Sequence, residues 1–253
     1  MTLRKVFVPI LAILVFLALW ELLVWANGWP NYIMASPSDL PAAYSRFWNL
    51  FLVMGWQTLW RTVVGLLIAI AFGVFVGMIM GFSRTMRDAL YPLLVGFNAI
   101  PKATVVPIVA LLFVGAHDFN TILIAFMISF FPIAVSVSIG LSTLEPEYRD
   151  ILRSLGASQA TIFWKIALPK TLPEFFGALK VAVTLAFIGT NLMEIVSPHG
   201  RGLGALFDSG KTNSDYPLMF AVLIALAFLG IVLYYLVVAL EKIFAGWAER
   251  QPH

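Results

Sequence analysis

Cysteine is absent from all 253 positions, and histidine occurs only at 117, 199 and 253. The first absence excludes disulfides, thiolate nucleophiles and cysteine-based metal sites. The second leaves no H-E-x-x-H pair, and each histidine falls in a loop or at the terminus, where it reads as solvated rather than metal-ligating. No G-x-x-x-x-G-K-[ST] stretch occurs, so the chain has no P-loop with which to cradle ATP. Charge is scarce as well, at 11% of residues against 61% hydrophobic, with a mean hydropathy of +0.93. A soluble domain carries about 25% charged residues, so this chain has more apolar surface than a water-facing fold can bury. It belongs in a bilayer. The net charge of +3 is read as cytoplasmic loop charge rather than a nucleic-acid surface.

What is present is a series of apolar runs of about 20 residues, long enough for helices to cross a hydrocarbon core. They lack the alternation of a membrane barrel. Six spans are expected in an all-α, polytopic membrane protein. The first, 6–26, follows Arg4 and Lys5 and reads as a retained span rather than a signal peptide, because no small-residue cleavage site precedes Trp25. Glu21 is expected to reach the interface from its far end. In 27–50, Pro30, Pro37 and Pro41 set turns before a short interfacial helix with Tyr44, Phe47 and Trp48.

The second span, 58–82, carries Gly73, Gly77 and Gly81 four apart, with Gly65 nearby, a face on which another helix can approach closely. Arg61 at its start is expected to snorkel to the surface. In the third span, 90–115, Asn98 and Lys102 stand four apart, so a continuous helix would place them on one face, as candidates for lining a translocation path. The competing reading sends Lys102 to the cytoplasmic interface. The fourth span is 121–140, the fifth 175–195 and the sixth 217–240. Thr190, Asn191 and Glu194 near the end of the fifth complete the path candidates. Between the last two, the polar loop 197–216 holds four glycines around the apolar piece 203–207, a candidate re-entrant or surface helix.

Lysine and arginine fix the expected orientation. With a cytoplasmic N-terminus, and Lys102 left out because it lies within a span, Arg4, Lys5, Arg84, Arg87, Arg149, Arg153, Lys165, Lys170, Lys180, Lys242 and Arg250 fall inside, and only Arg46, Arg61, Arg201 and Lys211 fall outside. Both termini and the polar stretch 142–173 are then cytoplasmic. This stretch is the longest polar interruption and reads as two short amphipathic helices. Ile151, Leu152 and Leu155 share a face of the first, and Ile162, Phe163 and Ile166 share a face of the second. Gly156 suits a left-handed C-terminal cap, Ser158 an N-cap, and Pro169 a stop.

The pattern D-I-L-R-S-L-G from Asp150, nine residues, then I-A-L-P resembles the EAA loop of bacterial ABC importer permeases. Gly156, Ile166, Leu168 and Pro169 are identical to that pattern, while Asp150 replaces its Glu, and Ile151 and Leu152 its two Ala. The resemblance implies a type I ABC importer permease fold and a coupling helix seated in a groove of a separate ATP-hydrolysing subunit. It also implies charged contacts from Arg149, Asp150 and Arg153 and apolar ones from Leu155, Ala157 and Ile162. The segments 98–115, 130–135 and 200–206 are similar to the nitrate, sulfonate, taurine and pyrimidine-precursor branch.

That likeness implies a conduit for a small anion or pyrimidine-type precursor in the bacterial inner membrane. Its implied partners are ATP-binding cassette ATPase subunits, a second permease copy, commonly identical, and an extracytoplasmic solute-binding protein. The chain itself is then no enzyme and holds no cofactor, ATP being bound by the partner. Its expected organisation is a first span with an external interfacial segment at 1–56, a permease core at 57–245 and a cytoplasmic tail at 246–253. The alternative is a secondary transporter driven by an ion gradient, whose coupling groups would come from the few deep polar residues.

Overall fold

The computed structural model describes residues 3–142, 151, 153–197 and 200–247, and among them all regular structure is helical. Helix α1 spans Leu3–Asn27, and a 3-10 turn at Pro37–Asp39 leads into α2, Leu40–Phe82. Then follow α3, Arg84–Ala99, α4, Lys102–Leu112, and α5, His117–Ser142. The short α6, Gln159–Ile162, runs through a π-helical segment at Phe163–Ala167 into α7, Leu168–Val196. Helices α8, Leu203–Thr212, and α9, Tyr216–Phe244, are the last of the described elements.

The core is an α2–α5–α7 sandwich, and the glycine ridge of α2 sets its spacing. A Cβ on Gly73 would sit 2.9 Å from the Phe130 carbonyl oxygen, and one on Gly77 2.7 Å from that of Ala134. Gly65 meets Ala125 and the Ile122 carbonyl, and Gly81 meets the Leu141 side chain, so α2 and α5 stay in close contact along four turns. Close backbone approach of this kind drives helix association where lipid removes the hydrophobic incentive. Ala182, Val183 and Ala186 of α7 bury against Ile133 and Val137 of α5. A second cluster joins Trp20 and Val24 of α1 to Leu40, Ala43, Leu218 and Ala221. Ser38 donates to the Glu21 carboxylate through its amide at 3.0 Å and its hydroxyl at 2.9 Å, which fastens α1 to the turn before α2.

Among the described residues, four helical stretches are long and apolar enough to cross a membrane: Pro37–Phe82, His117–Ser142, Phe163–Val196 and Tyr216–Phe244. The expected third span is instead an elbow, with α3 and α4 bent by 84°. Pro101 is the cause, because it holds Ile100 in an extended conformation and donates no amide hydrogen. Asn98 and Lys102 therefore lie on different helices and do not share a face. The first expected span is the 25-residue α1, apolar over Leu11–Asn27.

The separate interfacial helix expected around Tyr44 also takes another form. Residues 40–50 are the first turns of α2 and meet the rest at a bend where Phe47 adopts φ −116° and ψ 19°. The Tyr44 hydroxyl donates to the Ala221 carbonyl at 2.7 Å, so it pins this segment to α9 rather than to a headgroup layer. The apolar piece 203–207 is the start of a full helix, α8, whose Leu203 and Leu206 are buried.

Candidate functional site

Two polar assemblies stand at opposite ends of α7. At its start is the hairpin. Gly156 has φ +84° in open surroundings, so its left-handed turn answers a backbone demand rather than crowding. The Ser158 hydroxyl accepts from the Thr161 amide at 3.1 Å, capping α6. Ile162 is buried at 3% exposure, and Ala157, Phe163 and Ile166 pack partly buried against the core. These four hold the hairpin to the spans, and Ile162 is thus not available as a partner knob. The outward apolar groups are Ile151, Leu155, which is 77% exposed, and Trp164, 65% exposed. Trp164 is not among the expected contacts, because it lies off the face shared by Ile162, Phe163 and Ile166. Arg153 is exposed beside them, whereas Arg149, Asp150 and Leu152 lie outside the described residues.

Pro169 does not stop the second helix. The Leu168 amide bonds to the Phe163 carbonyl, five residues back, and Pro169 sits in the first turn of α7, where a missing amide hydrogen costs nothing. The widened π turn thus carries the chain through the proline. Leu168 and Pro169 are half-buried. Hairpin and span form one continuous lever.

At the other end of α7 a charged cluster has Arg61 and Glu194 buried at its centre and Asp118 exposed at its edge. Arg61 of α2, expected to snorkel, is 2% exposed and lies between two carboxylates. Its guanidinium meets Asp118 Oδ1 of α5 at 2.6 and 2.7 Å and Glu194 Oε1 of α7 at 3.2 Å, and donates to the Arg201 carbonyl. Burying an arginine is tolerable because every face of its fork is matched.

Glu194 also accepts from the Thr58 hydroxyl at 2.8 Å and from the Gly204 amide at 3.0 Å. Thr58 in turn accepts from the Leu203 amide at 2.8 Å. The first two amides of α8 are thereby capped by side chains of α7 and α2. The loop glycines wrap this carboxylate. Gly202, at φ +118°, would thrust a Cβ onto the Glu194 carboxylate, and a Cβ on Gly204 would lie 2.7 Å from the Cβ of Glu194. Of the four glycines in the 197–216 loop, Gly202 and Gly204 abut the Glu194 side chain and Gly210 meets the Asp215–Met219 backbone, and nothing local in the sequence named these partners.

The path candidates are not gathered in one place. Thr190 is buried and accepts from, or donates to, Thr62 across 3.0 Å, so it joins α7 to α2 in the same interior as Glu194. Asn191 is half-buried and donates to the Phe187 carbonyl at 2.7 Å. Asn98 is exposed on α3. Lys102 Nζ donates to the Phe97 carbonyl at 2.6 Å and stands 4.4 Å from the centre of the Phe97 ring. It caps a carbonyl left open where Pro101 breaks the elbow. A cavity of about 390 Å³ lies between the ends of α4, α5 and α7, with His117 and Ser197 in contact at 2.9 Å on its wall.

Residues 69–246 match the family described as binding-protein-dependent transport system inner membrane component. The chain is 30% identical over 244 residues to the formylaminopyrimidine transport permease protein ThiX of Halalkalibacterium halodurans, covering 96% of each chain. It is 27% identical to the taurine transport system permease protein TauC of Escherichia coli, over 85% of this chain and 82% of that one. Identity to the nitrate import permease protein NrtB of Synechococcus elongatus is 25%, over 86% and 83%. Among solved structures, a chain of the MetNI methionine ABC transporter in an inward-facing form superposes with a TM-score of 0.65 at 18% identity. The match covers 79% of this chain and 98% of that one.

Proposed function

The chain belongs to the family of binding-protein-dependent transport system inner membrane components, as a permease subunit of an ABC importer, and from that premise we propose that its solute is a small pyrimidine-type precursor. The end-to-end similarity to a formylaminopyrimidine permease carries this reading. Lys102 adds to it. The one cation among the expected path residues is turned to the Phe97 carbonyl and ring, whereas nitrate or a sulfonate calls for a free guanidinium or ammonium.

The energy comes from outside the chain. The hairpin 142–173 is the cytoplasmic contact for an ATP-binding cassette subunit, with Leu155, Ile151, Trp164 and Arg153 presented outward and Asp150 and Arg149 beside them in sequence. Both termini share that side, and the Arg61–Glu194 end faces the binding protein. Two copies of the chain pair to enclose the path. Thr190 and Glu194, committed to interior bonds, hold helices together rather than touch the solute.

Proteoliposomes containing the permease, its ATPase and its binding protein test the reading. ATP-dependent uptake of labelled formylaminopyrimidine, exceeding that of taurine or nitrate, is the expected outcome, and preference for either anion overturns the substrate class. In the same vesicles Gly156→Val, which forces a β-branched side chain to φ +84°, should abolish uptake while ATP hydrolysis continues. Intact uptake would sink the coupling assignment.

A further inference from the structure

Helix α8 packs Leu203 and Leu206 against Leu218 and Ala221 of α9, and its polar ties to the other spans run through one charge cluster centred on Arg61 and Glu194. The Leu203 amide is held by Thr58 of α2 and the Gly204 amide by Glu194 of α7, while Arg61 grips the carbonyl of Arg201 and the carboxylate of Asp118 on α5. Four elements therefore meet at two buried side chains, each at most 2% exposed. Gly202 and Gly204 leave no slack around Glu194, so α8 cannot slide without breaking the cluster. We propose that Arg61 and Glu194 are positioning residues of the transport cycle: they lock α8 to α2, α5 and α7 as one rigid body, so that a binding protein docking on α8 moves three spans together.

The proposal rests on the functional reading for the identity and side of the docking partner, while the lock itself rests on geometry alone. Separating Arg61 from Glu194 would strand a buried charge, which opposes any displacement of one element relative to the others.

Two readouts test it in the assembled permease–ATPase complex. Since the chain has no cysteine, Trp56→Cys on α2 and Lys211→Cys on α8, both exposed, accept spin labels without background. The label-to-label distance should be sharp in the native sequence, broaden in Thr58→Val and Glu194→Gln, and sharpen again in Thr58→Ser, which restores the hydroxyl. The second readout is ATP hydrolysis with and without binding protein loaded with formylaminopyrimidine. Stimulation should fall about fivefold or more in Thr58→Val and Glu194→Gln, with the unstimulated rate unchanged and Thr58→Ser native-like. If either readout stays unmoved in both variants, the lock is overturned. A native complex that the loaded binding protein does not stimulate overturns the functional reading instead, and the label distances then decide the lock by themselves.

Discussion

Arg61 shows how far one side chain's surroundings can reverse its apparent role. In sequence it is a cation near the start of an apolar run. In the fold it is closed in by two carboxylates that come from 57 and 133 residues away. Removing it leaves Glu194 buried without a counter-charge, and such truncations cost about 3–5 kcal/mol, whereas replacing a whole buried pair by apolar groups is often neutral. Arg61→Ala should therefore lower the melting temperature in detergent sharply, and Arg61→Met with Glu194→Met should recover most of the loss. A double variant no more stable than the single would show that the bonds to Thr58, Gly204 and Arg201 matter more than the charge pair. What was legible at this scale was whatever depends on near neighbours. The glycine ridge of α2 announces close packing through its own spacing, and Gly156 and Ser158 announce their turn. Partners far along the chain leave no local mark, so neither the burial of Arg61 nor the reason for Gly202 could be read.

The hairpin divides into an inward half that fastens it and an outward half that is open to a partner. Leu155 makes no core contact, so Leu155→Asp should leave the melting temperature unchanged while weakening ATPase copurification by about 2 kcal/mol or more, the mark of a buried interface anchor. Ile162→Asp should unfold the hairpin's seat and lower stability, because that residue belongs to the core. Unequal outcomes in that order check the division by simple pull-down and thermal melts. The π segment gives the hairpin its angle. It holds one residue more than an α-helix needs, and deleting Lys165 would rotate everything before it by about 100° relative to α7. Such a deletion should keep the spans folded and lose the copurified ATPase. A run of apolar residues ending in I-A-L-P shows where a helix meets a proline, but not that a widened turn passes through it. The elbow was missed for a related reason. The apolar run 90–115 has the length of a span, and only the backbone shows that Pro101 bends it by 84°.

That elbow also bears on the whole assembly. Residues 100–101 are irregular backbone inside the apolar run 90–115, and polar backbone at membrane depth persists only where protein or a water-filled cavity covers it. Within one chain little covers it, since Leu111 is 76% and Val114 82% exposed. Phe228 on α9 is nearly as exposed but lies on an unbroken helix, which lipid can cover without stranding a carbonyl. The proposed second permease copy therefore belongs against α4, where the pair would enclose the path beside the cavity lined by Pro107, Leu111 and His117. The absence of cysteine makes the arrangement directly testable. Val114→Cys and Leu111→Cys, placed singly, should give disulfide-linked dimers when membranes are treated with mild oxidant if α4 lies along the two-fold axis, where a residue meets its own copy. Phe228→Cys should remain monomeric on the same gel. Cross-linking at Phe228 without cross-linking at either α4 position would place the partner on the other side of the molecule, and a permease of different sequence copurifying in equal amount would replace the identical pair with a heterodimer.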